Sequence, residues 1–307
     1  DSVKSRGLGD VYKRQYVYND YFFVSGYHKL GLDLIHDYLK NFAKKSNKRD
    51  NLATSLTIIG RPNAGKSTLF NALLNKERST VSNIPGTTRD KVVESLEANK
   101  RQYLITDTAG IPRKKQKDQI DRYSSEISIK SLENTDIALI VVDSEIGLSF
   151  EDKRILNSSI ENFVTPLLIL NKWDLLDTEQ KEDINNSIKR DLKQYRWVNV
   201  IRVSALNTKN IIQIAKNIDS IEEQLNLRIS TSELNSYFRE LWVKSPPHPF
   251  RGKRAKLKFV SQFSTKPPEF GFSLSSRVPK NYVSFIENNI RKNFKMGEIA
   301  FRIKINA

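Results

Sequence analysis

Leu56-Thr57-Ile58-Ile59, running directly into Gly60-Arg61-Pro62-Asn63-Ala64-Gly65-Lys66-Ser67 and then Thr68-Leu69-Phe70-Asn71-Ala72-Leu73-Leu74, decides the fold. The first four residues read as a buried strand and the last seven as an apolar helix. Between them lies G-x-x-x-x-G-K-S, in the strand-loop-helix context that a phosphate-binding loop needs. Glycines let backbone amides turn onto phosphate oxygens, and the N-terminus of the following helix adds a positive dipole. Lys66 is expected to reach the β and γ phosphates of a nucleotide, and Ser67 to ligate Mg²⁺.

Outward from this loop, apolar runs alternate with helical stretches: Leu56–Ile59, Gln102–Thr106, Ile137–Val142, Leu167–Leu170 and Val200–Val203. That alternation predicts an α/β fold, a mostly parallel sheet with helices on both faces. Val92–Leu96 is expected as an antiparallel edge strand, since only Glu97–Arg101 separates it from the next run. After Leu227 the order changes to a helix (Thr231–Val243), a Pro-rich basic loop, strands Lys256–Phe263 and Phe270–Ser275, a helix (Asn281–Phe294) and a strand (Ala300–Asn306). This predicts a separate small α+β domain over 226–307 behind a nucleotide-binding domain over 53–225. Upstream, 43–52 is polar and charged as in a linker. Tyr21–Ser25 reads as a strand and Leu32–Phe42 as a helix, within 16–42. Residues 1–15 carry no periodicity and resemble adaptor-derived sequence, so they are excluded from the fold.

Three further strings stand where strands of such a sheet end. Asp107-Thr108-Ala109-Gly110 follows the second parallel strand, so that Asp107 can hold Mg²⁺ through water and the Gly110 amide can sense a γ phosphate. Asn171-Lys172-Trp173-Asp174 follows the fourth; its carboxylate can accept from both N1–H and the exocyclic amine of guanine, which selects GTP over ATP. Ser204-Ala205-Leu206 follows the last strand and is expected to bring a backbone amide to guanine O6. Pro85-Gly86-Thr87-Thr88-Arg89-Asp90 lies in a polar stretch from which a Thr can swing onto Mg²⁺, and spacing does not say whether Thr87 or Thr88 does so.

Composition sets the outer bounds. The chain has 307 residues, 51 Lys+Arg, 35 Asp+Glu, no Cys and a formal net charge of +16. Without Cys there is neither a disulfide nor a thiolate metal site, and a reducing, cytoplasmic compartment is weakly favoured. Apolar runs fall far short of the roughly 20 residues that span a bilayer, so no membrane partner is expected. Charge is uneven: 226–307 carries 16 basic and 5 acidic residues, a net of +11, against +4 for 1–52 and +1 for 53–225. An excess of that size at one end is what a phosphate backbone selects. Arg251, Lys253, Arg254, Lys256 and Lys258 concentrate it, with Arg291, Lys292 and Lys295 later. A strand alternating Lys256 and Lys258 with Leu257 and Phe259 is expected to put those charges on one face. No G-x-x-G occurs there, so the usual nucleotide clamp of a KH domain is absent and any RNA contact is expected to be electrostatic or shape-based.

GRPNAGKS, PGTTRD, DTAGI, NKWD and SAL in this order resemble the translation-factor-related GTPases, and TTRD narrows the likeness to the Era/Der/MnmE group. The end of the chain, with Leu234–Trp242, Pro246-Pro247, Gly252–Lys258, Lys266-Pro267-Pro268 and Asn288–Phe294, resembles the KH-like C-terminal domain of the Der (EngA) family of ribosome-biogenesis GTPases. That family carries two G domains before the KH-like one, so the resemblance makes 16–42 the tail of a first G domain and 53–225 the second. It further implies binding of GTP and GDP at Gly60–Ser67, Asp107–Ile111, Asn171–Asp174, Ser204 and Ala205, with catalytic parts at Lys66, Thr88, Gly110 and Asn63. Mg²⁺ would be held by Ser67, Thr88 and Asp107, and K⁺ by Asn63. Because Ile111 cannot orient water, slow turnover stimulated by RNA or the ribosome is expected. The partner so implied is the large (50S) ribosomal subunit, met by a monomer. A tRNA-modification GTPase of the MnmE kind and a GTP-latched RNA-binding module without turnover are the alternatives.

Overall fold

The computed structural model describes residues 53–76, 93–98, 101–107, 132 and 134–306. The strand and helix expected within 16–42, the Pro85–Asp90 stretch and Thr108–Ile111 lie outside these.

Six strands form the first sheet: β1 (Thr54–Ile59), β2 (Val93–Ala98), β3 (Arg101–Asp107), β4 (Ile137–Asp143), β5 (Thr165–Asn171) and β6 (Asn199–Arg202). Their spatial order is β2-β3-β1-β4-β5-β6. All pairings are parallel except β2 with β3, where the short connection leaves only an antiparallel edge. β4 and β5 are buried at every residue, as strands covered on both faces must be. The covering helices are α1 (Lys66–Lys76), α2 (Phe150–Glu161), α3 (Thr178–Asp191) and α4 (Ile211–Asn226). Capping boxes at Ser149/Asp152 and Asp177/Gln180 start α2 and α3, satisfying amides that those first turns leave open.

The remaining chain supplies α5 (Thr231–Lys244), β7 (Leu257–Thr265), β8 (Pro268–Leu274), α6 (Lys280–Asn293) and β9 (Arg302–Asn306). β8 is central, antiparallel to β7 and parallel to β9. The inward side chains Val260, Phe270, Phe272 and Leu274 are buried with Phe238 of α5 and Ile286 and Ile290 of α6. Two side chains tie β7 to its surroundings along its outer edge. Asn235 accepts from the Val260 N–H at 3.0 Å and donates to its carbonyl at 2.7 Å, and Gln262 accepts from the Ile229 N–H at 2.8 Å.

Two sequence expectations change here. The alternation of Lys256 and Lys258 with Leu257 and Phe259 fails. Lys256 precedes the strand, and an irregularity between Leu257 and Phe259 sets Lys258 outside the pairing and leaves Phe259 exposed. Arg291, counted among the surface cations, is taken up in packing: its guanidinium sits 4.2 Å from the Trp197 ring and 4.6 Å from that of Phe301. It also donates to the Ile299 carbonyl at 2.7 Å and to Glu287 at 2.8 Å, while burial pulls it below the ordinary guanidinium range. Within the basic loop, Phe250 and Lys253 exchange backbone hydrogen bonds around Arg251 (φ 50°) and Gly252 (φ 75°), a tight two-residue reversal that holds the loop's cations outward.

Ala53–Ala307 packs as a single compact unit. One apolar cluster runs from Leu56 and Leu69 through Ile214, Ile218 and Ile221 of α4 to Phe238 and Phe270, so α4 serves both sheets. Polar contacts follow the same seam: Ser220 and Gln224 donate to Glu298 at 3.0 and 2.9 Å, and Ala300 N–H to Thr165 Oγ1 at 3.1 Å. Lys266 Nζ reaches Thr54 Oγ1 at 3.1 Å. Among the described residues no helix is long and apolar enough to cross a membrane.

Candidate nucleotide site

All the strings singled out by sequence that fall within the described residues stand at one end of the larger sheet, where its parallel strands deliver their carboxyl ends. Gly60 leaves β1 with φ 148°, and a Cβ there would come within 2.3 Å of the Val141 carbonyl oxygen, so the loop presses against β4. Asn63 (φ 62°) and Gly65 (φ 92°) turn the backbone back toward α1. Lys66 Nζ curls over the loop and donates to the carbonyls of Gly60 at 3.0 Å and Arg61 at 2.8 Å. Arg61 Nε is paired with buried Asp152 at 3.0 Å, which ties the loop to the start of α2. Pro62, Asn63 and Ser67 are exposed, Ala64 buried.

The residue that joins the site is Asn171, at the end of β5 and buried. Its Nδ2 donates to the Ala64 carbonyl at 2.9 Å, and its Oδ1 accepts from the Ala205 N–H at 2.9 Å. One amide therefore fixes the spacing between the phosphate loop and the loop after β6. It also explains Gly65, because a Cβ there would lie 2.1 Å from Asn171 Nδ2. Sequence reasoning put the emphasis on Asp174 and missed this bridge; a buried Asn ending an otherwise apolar strand was the available signal. Of the amides in Ser204–Leu206, that of Ala205 thus has an acceptor within the protein.

Lys172 (φ 61°) swings the chain away from β5, and its ammonium meets Asp143 Oδ2 at 2.5 Å, linking the ends of β5 and β4. Trp173–Leu175 form one 3₁₀ turn that carries Asp174 outward. Asn207 donates to the Asp174 carboxylate at 2.8 Å. The Ser204 hydroxyl, chiefly, holds that carboxyl below its ordinary value, helped by the Lys209 charge. Trp173 is flanked by Arg202, 5.6 Å from its ring. Gly65, Thr68, Asn171, Lys172, Asp174, Leu175, Ser204 and Leu206 line a cavity of about 280 Å³. Its size and its single carboxylate among amide and apolar walls suit a planar base that offers adjacent donors.

Asp107 ends β3 in register with Ile58, one residue before the end of β1, so its backbone stands beside the start of the loop that carries Ser67. A hydroxyl and a carboxylate at the same edge are the hard oxygen donors that suit Mg²⁺. Among the described residues no group of three or more His, Asp or Glu side chains gathers. Thr87, Thr88, Thr108, Ala109, Gly110 and Ile111 lie outside the described residues.

Comparison with known proteins adds to this geometry. Residues 55–172 match the family model described as 50S ribosome-binding GTPase, and 228–306 match the KH-domain-like C-terminal domain of EngA bacterial GTPase enzymes. GTPase Der of Chlorobium phaeobacteroides is 34% identical over 85% of this chain and 61% of its own length. GTPase Der of Prosthecochloris aestuarii is 33% identical over 89% and 64%. The chain thus spans less than two thirds of these relatives' length. Among solved structures, Era of Aquifex aeolicus bound to GDP·AlF₄⁻ aligns over 82% of this chain and 93% of its own at 20% identity and TM-score 0.40, too loose a likeness to carry an argument. With a GTPase domain and an EngA-type C-terminal domain matched in one chain, the protein belongs to the EngA family of P-loop GTPases, to which the relatives called GTPase Der also belong.

Proposed function

We propose that this chain binds GTP and GDP with Mg²⁺ in the cavity beside Asn171, hydrolyses GTP, and acts on the large ribosomal subunit as an assembly factor. The observation that carries the reading is the Asn171 bridge, which ties the phosphate loop to the loop after β6 beside the cavity that Asp174 also lines. Asp174 reads the N1–H and amine of guanine. Lys66 leaves its two loop carbonyls for the phosphates, and the loop amides and the α1 N-terminus hold the phosphate charge. Ser67, Asp107 and Thr88 would hold Mg²⁺, which when bound neutralises charge on the β and γ oxygens. The resemblance further assigns Asn63 to a K⁺ ion and Gly110 to the γ phosphate. The exposed side chain and left-handed backbone of Asn63 are compatible with its part.

Residues 53–225 serve in this reading as the G domain and 226–307 as the KH-like domain, working as a monomer. The exposed cations Arg251, Lys253, Arg254, Lys256 and Lys258 support rRNA as the contact. The test is cosedimentation of the chain with large subunits in the presence of GDP or a non-hydrolysable GTP analogue at two salt concentrations, with GTP turnover measured alongside. Salt-sensitive, nucleotide-dependent binding and subunit-stimulated turnover are expected. Turnover that large subunits leave unchanged, with no cosedimentation, would overturn the ribosomal part, and failure to prefer GTP over ATP would overturn the nucleotide part.

A further inference from the structure

Helices cover the smaller sheet on one face, and at the β9 edge of the other Arg302 stacks on the Phe163 ring at 4.2 Å. On the other face, residues of β8 that alternate with buried Phe270, Phe272 and Leu274 are Glu269, Gly271 and Ser273. Their partners are Ser264, Ser261 and Phe259 on β7 and Arg302, Lys304 and Asn306 on β9. Two aromatic rings lie in this open face: Phe259 is 47% exposed and Phe263 57%. An apolar β-strand side chain normally earns its place by burial, and these two do not have it. Phe263 is held flat: a Cβ on Gly271 would sit 2.0 Å from its ring, so the absence of a side chain there lets the ring lie on the strand backbone. Ser261, Gly271 and Ser273 keep the ground between and beside the rings low.

We propose that this face is a stacking platform for unpaired nucleotides of an RNA strand, with Phe259 and Phe263 each taking a base. The proposal rests on the reading that the C-terminal segment meets RNA and adds what that reading lacked, a means of holding bases and not only phosphates. Four observations support it. The rings are spaced along one strand over small residues, the arrangement by which sequence-tolerant single-strand binders hold successive bases. Beside Phe259 opens a cavity of about 530 Å³ lined by Thr231, Ser232, Asn235, Ser236 and Arg239 of α5, which offers hydroxyls and a guanidinium to sugar and phosphate. The segment carries a net +11, and the carboxylate on this face, Glu269, is neutralised by Arg302 at 3.1 Å and Lys304 at 2.5 Å. Addition of a peptide strand to β7 is opposed by Asn235, which occupies both backbone groups of Val260, and by Gln262 Nε2, which donates to the Ser264 carbonyl at 3.2 Å.

The experiment uses the full chain and an unstructured 12-nucleotide RNA carrying fluorescein at one end and 2-aminopurine within, titrated over a series of KCl concentrations. Phe259→Leu/Phe263→Leu keeps the apolar volume and removes the rings. It is expected to weaken binding on the order of thirty-fold and to abolish 2-aminopurine quenching, with the slope against salt unchanged. Gly271→Ala keeps both rings but lifts Phe263, and is expected to weaken binding several-fold in the same direction. Arg251→Glu/Lys253→Glu/Arg254→Glu is expected to flatten the salt slope while quenching persists at saturation. Thermal unfolding and GTP affinity, unaltered in the Leu variant, would show that it folds.

If the Leu variant binds and quenches like the parent while charge reversal still weakens binding, the platform is wrong and the RNA reading stands. If the parent binds no RNA at low salt, the RNA reading fails and the platform with it. Unchanged RNA binding together with loss of self-association in the Leu variant would assign the face to protein docking and overturn the proposal.

Discussion

The two sheets put function in different places because they are buried differently. β4 and β5 are enclosed on both faces, so chemistry is confined to the residues that end them, Asp143 and Asn171, and those just beyond β5, Lys172 and Asp174. Helices cover the β7–β8–β9 sheet on one face, and its open face can itself be a binding surface. A doubly covered sheet thus concentrates recognition into a few hydrogen-bonded contacts of large individual effect. An open face would spread it over exposed rings and charges that lie outside the core.

The sharpest way to break that contrast is at Asp174. Asp174→Asn replaces an acceptor pair by an amide and is expected to lower GTP affinity about a thousand-fold, because guanine donors would face an amine. Xanthine nucleotides, which carry a carbonyl in place of the guanine amine, should then bind better than GTP, and titration calorimetry with GTP, XTP and ATP decides it. The pH dependence has a fixed sign. The Asp174 carboxyl is depressed chiefly by the Ser204 hydroxyl, so its charged form persists as pH falls through the ordinary carboxylate range, and GTP binding is expected to persist with it. Ser204→Ala should raise that pKa, so that GTP binding is lost at a higher pH than in the parent. Loss at the same pH would show that the hydroxyl does not set it.

Next in size is Gly65→Ala. The added Cβ would lie 2.1 Å from Asn171 Nδ2, and Asn171 cannot yield without releasing Ala64 or Ala205. With the positive φ of 92° added, a loss of about 3 kcal/mol in stability is expected, with GTP affinity greatly reduced. Chemical denaturation and nucleotide titration check it; a variant as stable as the parent would mean that the bridge is slack.

The seam between the sheets comes third. Arg291→Met keeps the bulk between Trp197 and Phe301 but leaves the Ile299 carbonyl without its donor. About 2 kcal/mol should be lost, with the calorimetric transition of the folded unit broadening as the sheets begin to melt apart. An unchanged transition would show that the two sheets are not joined through this residue.

What was legible in the sequence follows the same division. Runs such as Ile137–Val142 announced their strands because double burial demands unbroken apolar character, and Gly60–Ser67 was readable because phosphate binding fixes glycines at a set spacing. The ladders of β1 and β5 run past the expected stretches, through Thr54, Thr165 and Asn171, whose backbones pair although their side chains are polar, while β6 begins one residue earlier and ends before Val203. Asn171 as a bridge was not legible, since its partners Ala64 and Ala205 are 107 and 34 residues away. Arg291 read as a surface cation because nothing local shows that Trp197 would stack on it. In β7 a simple alternation was expected, and the strand irregularity at Lys258, set by tertiary pairing, exposed Phe259 instead.

Gly271→Ala gives the smallest effect and the closest comparison, because its clash on paper is as severe as that at Gly65: 2.0 Å to a Phe263 ring carbon against 2.1 Å to the Asn171 amide. The neighbours differ. Asn171 is buried and bonded at both ends, whereas Phe263 is more than half exposed and can rotate into solvent. Its displacement forfeits some contact with the sheet, and the loss is offset by the smaller entropy of an unfolded chain with Ala in place of Gly, about 0.4–1 kcal/mol. The net change in stability is therefore expected to lie within about 0.5 kcal/mol of zero, read from denaturation midpoints of Gly65→Ala and Gly271→Ala side by side. A loss of several kcal/mol at Gly271 would mean that the Phe263 ring is locked by partners and that the open face is less open than its exposure implies.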